Sequence, residues 1–293
     1  AGGVKLYVLP DEGGWYNFSA MAPAADGVTN DFAKLSKLLA IRLPNGSANN
    51  PKGASIFIPS GSYYIGNGAN GIQLKAVTHL RGEAPGQNNS SVGTRLVFPT
   101  GCIGITVNRF NTLNGGQEGS PTGGADGSVI EGLALTSTVD SNKASHAIWM
   151  RARAVVTRCF IAGWGGNGVN IVASFNGDAT SIGNANCFRV DTIRVQGCEH
   201  GVYAAGADAN AGHGYNIDAA SNRRWGIWDA SFLGNAWTGC HVEGNGSDTI
   251  NGQSAYATFD GQSYHAVPGA TEQQLVDTQP GTNANIWRVC QSA

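Results

Sequence analysis

Apolar residues fall on every second position in short runs along most of the chain. "ASIFIPSGSYYIG" (54–66), "IGITV", "AVVTRCFIAG", "CFRVDTIRVQG", "GVYAAG" and "GIWDAS" all show the pattern, and most are closed by Gly, Asn or Ser. Strict alternation marks a strand with one buried face, and such short runs imply tight bends between strands. One segment has a different period. In "TNDFAKLSKLLAIRLP", Phe32, Leu35, Leu38 and Leu39 recur at helical spacing, Thr29 or Asn30 stands where a cap belongs, and Pro44 follows as a stop. A lone amphipathic helix over 31–43 must lay its stripe on something, and the open end of a stack of strands offers the surface.

The strands repeat. When "DTIRVQGCEHGVYAAG" is laid over "YNIDAASNRRWGIWDAS", Val195 falls on Ile217 and Val202 on Ile227; Val242 and Phe259 take the Val195 place later in the chain, and Ile161 precedes them. An insertion at "SFNGDATSIGNAN" explains the longer step from Ile161 to Val195. This spacing suits a solenoid whose coils stack inward apolar ladders, with Gly or Asn at the corners. The expected architecture is all-β: a helix-bearing segment over 1–50, a parallel β-helix over 51–250 and a terminal β segment over 251–293. Composition agrees, since Gly is 43 of 293 residues and charged residues are 13%, about half the usual ~25%.

A net charge of −2 and the absence of any long Lys/Arg cluster argue against a nucleic-acid partner. No apolar run approaches the ~18 residues of a membrane span, and residues 1–20 lack signal-peptide character. A soluble chain with no membrane partner is expected. The six cysteines, Cys102, Cys159, Cys187, Cys198, Cys240 and Cys290, show no metal-ligand spacing. They read as small buried hydrophobes.

"ADGVTNDFAKLSKLL" resembles the opening signature of the pectate-lyase-like right-handed parallel β-helix superfamily, in which a D-G-x-T-x-D segment leads into a capping helix. Asn30 replaces the second acidic residue of that signature. "GASIFIPSGSYYIG" and "VTHLRGEAPGQNNSSVGTRLVF" are similar to its first coils, and "GADANAGHGYNIDAASNRRWGIWDASFLGN" to bacteriophage tailspike and prophage-type β-helix proteins. The resemblance implies a right-handed coil, a homotrimer and an extracellular or phage-virion setting. It carries over no catalytic residue, because the superfamily spans polysaccharide lyases, glycoside hydrolases, epimerases and non-catalytic spikes.

Alternation alone nominates an outer face. If Val195, Ile217, Val242 and Phe259 point inward, then Arg194, Asp218, His241, Glu243 and Asp260 point outward, with Asp218, Glu243 and Asp260 in one column. Carboxylates on adjacent rungs would stand about 5 Å apart, and those two rungs apart nearly 10 Å. These spacings span the retaining and inverting geometries of glycoside hydrolysis. Arg194 and His241 beside them would suit abstraction of a uronate proton. No cofactor motif is present, and calcium is the one ion that uronate elimination would call on. A second cluster, Asp208, His213, Arg223, Arg224, Trp225, Trp228 and Asp229, is expected to grip sugar rings and anionic groups. The competing reading of both sets is ordinary solvated surface. The expected function is binding and depolymerisation of an acidic polysaccharide by elimination or hydrolysis. A binding-only spike and a C5 epimerase are the alternatives.

Overall fold

A computed structural model describes residues 8–45, 52–86, 93–108, 124–139, 141–173, 184–206, 208–231 and 234–245, with the backbone of short strands beyond 245. Among the described residues the chain is β apart from one α-helix and one short 3-10 turn, and almost all strand pairs are parallel. Each strand pairs with its equivalent one coil away, which is the topology of a solenoid. A 16-stranded sheet bends into two faces and a 7-stranded sheet forms the third.

Three inward ladders fill the stack. Ile56, Leu80, Ile130, Val156 and Val190 succeed one another on the first face. Tyr63, Leu96, Leu135, Ile161, Val195, Ala219 and Val242 do so on the second. Ile72, Ile105, Ile148, Val169, Val202 and Ile227 do so on the third. All of these side chains are buried, and burying each of the large ones stabilises the fold by about 1.5–3 kcal/mol.

The strands Arg189–Gln196 and His213–Ala220 run through both the first and the second face. They turn the corner at one left-handed residue, Thr192 (φ 51°) and Asn216 (φ 50°), in line with Gly132, Arg158 and Gly239 in neighbouring coils. Asparagine was expected at such corners, but only Asn216 fills that role in this column. Most corner asparagines act through their side chains. Asn222 Oδ1 accepts Cys198 N–H at 3.1 Å, Asn245 Oδ1 accepts Asn222 N–H at 2.8 Å and Asn235 Oδ1 accepts Gly212 N–H at 2.7 Å. Each satisfies a backbone donor that the turn would otherwise leave buried and unpaired.

The helix α1, Phe32–Leu39, buries Leu35 and Leu38 and packs on the turn Phe18–Met21 and the strand Lys52–Ile58, at the first-coil end of the stack. Its N-cap is Asp31 rather than Thr29 or Asn30. The Asp31 carboxylate does not cap the helix; it accepts the N–H groups of Ala24 and Ala25 at 2.8 and 3.1 Å, tying the preceding chain down. Residues 249–293 contain an antiparallel trio of short strands, the first of them Thr249–Ile250, and three further strands, Leu275–Asp277, Ile286–Arg288 and Gln291–Ser292, that pair in parallel with the preceding coils.

The expected register holds on the third face, where Val202 pairs with Ile227, and in the Ile161–Val195 pair. It slips by two residues elsewhere on the second face. Val195 lies under Ala219, Ile217 stacks on Ile193, and Val242 stacks on Ala219. Phe259 and Asp260 fall outside the described residues.

Candidate functional site

The register slip rearranges the predicted acids. Arg194, Asp218 and His241 occupy successive rungs of one outward column on the second face, whereas Glu243 stands opposite Ala220 in the next column. The expected stacking of Asp218 on Glu243 is therefore not formed. Asp218 Oδ2 lies 3.4 Å from Arg194 Nε and its Oδ1 3.2 Å from His241 Nδ1, while His241 Nε2 lies 3.8 Å from Glu243 Oε2. An imidazole thus stands between two carboxylates with a guanidinium on the far side of Asp218. These side chains are well exposed, so the pairings add little stability.

The predicted sugar-gripping cluster disperses. Trp225 is only 3% exposed and Asp229 is fully buried, so neither presents a surface to a ligand. In the strand Ile227–Ser231, Ile227, Asp229 and Ser231 all point inward, which leaves Trp228 on the outer side. Arg223 donates to the carbonyls of Trp164 and Gly165, bracing a corner. His213 sits on the first face in register with Arg189 and Ala236. Asp208 accepts a long hydrogen bond from Asn186 in the turn before it. Trp228 meets two members of the set, the Arg224 guanidinium at 6.0 Å from its ring centre and the buried Trp225 ring edge-on at 6.4 Å.

Both line a cleft of about 520 Å³ on the third face, within the usual 300–1,000 Å³ range of ligand sites. Its floor is an outward ladder in which Trp149, Asn170, Tyr203 and Trp228 follow rung by rung. Tyr203 and Trp228 lie 5.1 Å apart between ring centres. Its wall is a second column, three residues earlier in each coil, holding His146, Asn167 and His200. The sequence carries a signal for both columns: the tetrapeptides "NGIQ", "IGIT", "HAIW", "NGVN", "HGVY" and "WGIW" occupy equivalent positions in six coils. Aligning on that small residue finds Asn170, Tyr203, His146, Asn167 and His200, for which alternation alone gives no signal, and places Trp149, itself an exposed-aromatic candidate, among them.

The constant small residue is dictated by geometry. A Cβ on Gly71, Gly104 or Gly201 would stand 2.3, 2.5 and 2.5 Å from a carbonyl oxygen of the next coil. This close approach fixes the wall and floor columns relative to each other.

Glu199 lies at one side of the cleft with Lys143 Nζ at 3.0 Å and Arg224 Nη1 at 3.7 Å from the same oxygen. Burial, with Arg224 and Lys143 nearby, holds the His200 ring well below the usual imidazole range, and burial lowers His146 to about 4. Both rings are therefore neutral near pH 7. Burial, followed by the Glu199 charge, pushes the Tyr203 phenol up. Calcium takes six to eight oxygen ligands, and the cleft offers one carboxylate already set between two cations. Among the described residues no group of three or more His, Cys, Asp or Glu side chains is arranged to hold a metal ion. Comparisons with protein-family models, curated proteins and solved structures found no match for this chain.

Proposed function

We propose that this chain is a right-handed parallel β-helix of the pectate-lyase-like kind that binds an extended acidic polysaccharide outside the cell and depolymerises it. The observation that carries the reading is the third-face cleft. Its aromatic floor runs along the coil axis, and Lys143 and Arg224 stand at its side. Tyr203 and Trp228 offer stacking surface to sugar rings, and the cations attract an anionic chain. A right-handed coil follows the strong preference of parallel crossovers.

Cleavage is assigned to the second-face set. Asp218 and Glu243 are one rung and two residues apart, a diagonal of roughly 8 Å between backbones. His241 stands between the two acids and orients them, and the Arg194 guanidinium lies against Asp218 on its other side. A binding-only spike is the second reading, favoured by the cleft itself, whose histidines and phenol are held neutral.

Incubation with a panel of uronate polysaccharides tests all of this. New reducing ends without ultraviolet absorbance indicate hydrolysis, absorbance of an unsaturated uronate indicates elimination, and retention without either indicates binding alone. Asp218→Asn is expected to lower turnover by a factor of about 100 or more with the thermal melt unchanged. Full activity in that variant removes Asp218 from the mechanism.

A further inference from the structure

Away from the cleft and the second-face acids, the first face carries a partly buried cluster of its own. Trp15, Ser55 and His79 occupy successive rungs of one outward column, on the strands Trp15–Asn17, Lys52–Ile58 and Val77–Gly82. Neighbouring rungs are about 4.8 Å apart, so the Trp15 and His79 backbones stand roughly 9.6 Å from each other. Their ring centres are nevertheless only 4.7 Å apart, edge to face. Both rings therefore lean across the rung between them, which brings the imidazole beside the half-buried Ser55.

On its other side His79 meets an acid. Glu131 lies one coil further on, and its Oε2 is 2.7 Å from His79 Nε2. The second Glu131 oxygen pairs with Arg158, and the carboxylate is only 15% exposed. The imidazole donates from Nε2 to this carboxylate, which leaves the lone pair on Nδ1. Glu131, His79 and Ser55 thus follow one another through three successive coils as acid, imidazole and hydroxyl. Burial, followed by the Arg81 charge, holds the His79 ring below the usual imidazole range, so the ring is neutral near pH 7. Arg81 itself reaches over Trp15, with its guanidinium 5.6 Å from the ring centre. A nucleophile, a base, a group that fixes the base and a cation for developing negative charge are thereby gathered on one patch.

We propose that Ser55 and His79, positioned by Glu131, form a second catalytic site that hydrolyses short acyl esters. Ser55 Oγ attacks the acyl carbon while its proton passes to His79 Nδ1. The same proton then goes to the departing alcohol as the ester C–O bond breaks. A water that gives its proton to His79 releases the carboxylic acid and restores the Ser55 hydroxyl. Arg81 faces the carbonyl oxygen as it becomes an oxyanion, and Trp15 walls the acyl group. The same three roles recur on unrelated scaffolds, so no particular fold is required. Two rings close over a single rung at Ser55, which restricts the acyl chain to a few carbons. This face is separate from the second-face acids, and the ester activity stands whether or not those acids cleave a glycan.

Incubation of the full chain with p-nitrophenyl acetate, read as nitrophenolate release, and with a fluorophosphonate, read by mass spectrometry, tests the site. One adduct on Ser55 is expected, and turnover about a hundredfold or more above that of Ser55→Ala. His79→Gln should remove both signals. Glu131→Gln should slow both by about tenfold to a hundredfold. Because that variant also releases Arg158, the pH profile of the unmodified protein is the second measurement. The labelling rate should stay level from pH 8 down to about 6.5 and decline only below it, as the imidazole takes up a proton. An adduct confined to other serines, no adduct at all, or equal turnover in Ser55→Ala and the parent protein overturns the site. A labelling rate that does not decline at any pH down to 4 removes His79 as the base and overturns it as well.

Discussion

Asp229 accepts hydrogen bonds from Ser231 N–H at 3.0 Å, Asn235 Nδ2 at 2.9 Å and Trp237 Nε1 at 2.8 Å, all within the core. Burial raises its carboxyl above the usual range despite these donors. Asp229→Ala is expected to cost about 1–3 kcal/mol, because Trp237 Nε1 and Ser231 N–H lose this carboxylate in the interior while Asn235 Nδ2 keeps Ala209 O and Ser231 Oγ; urea unfolding measures it. His146 gives the opposite pH signature. Its folded value is about 4, against about 6.5 in the unfolded chain. Below pH 6.5 the unfolded ring binds a proton that the folded ring refuses, so this contribution to stability declines as pH falls from 6.5 to about 4. Unfolding midpoints taken across that window should drop less in His146→Gln than in the parent protein. An equal drop in both would show that the ring is not shielded. Residue type gave no hint of these roles. An Asp preceded by an outward-looking Trp reads as a binding pair, and only its place on an inward rung makes it a structural acceptor.

At the scale of elements, the third-face strands share one constraint, the small residue before each inward apolar side chain. Gly201 illustrates it, since a Cβ there meets Gly226 O at 2.5 Å and both Ala219 Cβ and Asn222 Nδ2 at 3.0 Å. Gly201→Ala should therefore destabilise the fold by about 1–3 kcal/mol, read from the urea midpoint, because a backbone carbonyl must move. Ala147 stands in the same column, between Gly104 and Gly168. The helix period was legible because Leu35 and Leu38 fall on one stripe. The strands "AVVTRCFIAG" and "CFRVDTIRVQG" were legible as strands but not as bent ones. The bend sits at Arg158 and Thr192 in left-handed backbone, a conformation that neither residue type advertises.

For the molecule as a whole, the stack must be covered where it opens, and α1 does this at the first coil. Leu35→Asp places a charge against Phe18 and the first-face ladder, all buried. It should lift the lid and expose unpaired strand edges, so light scattering is expected to rise with concentration. Unchanged scattering would show that α1 is ornamental to solubility.

Sequence by itself determined the all-β class, the coil as the repeating unit, the helix that closes its first end and the inward side of the alternating apolar residues. These follow from alternation, a local property set by the pleat. Tertiary structure alone decided which rungs became neighbours. Alternation has a period of two residues, so sliding a strand by two leaves every side chain on its proper face and cannot be detected in the pattern. In the fold that slide puts Ala219, not Ile217, over Val195, and sets Asp218 between Arg194 and His241 instead of beneath Glu243. The cleft is settled the same way, since His146, Asn167 and His200 come from three separate coils and form a wall only once the coils are stacked.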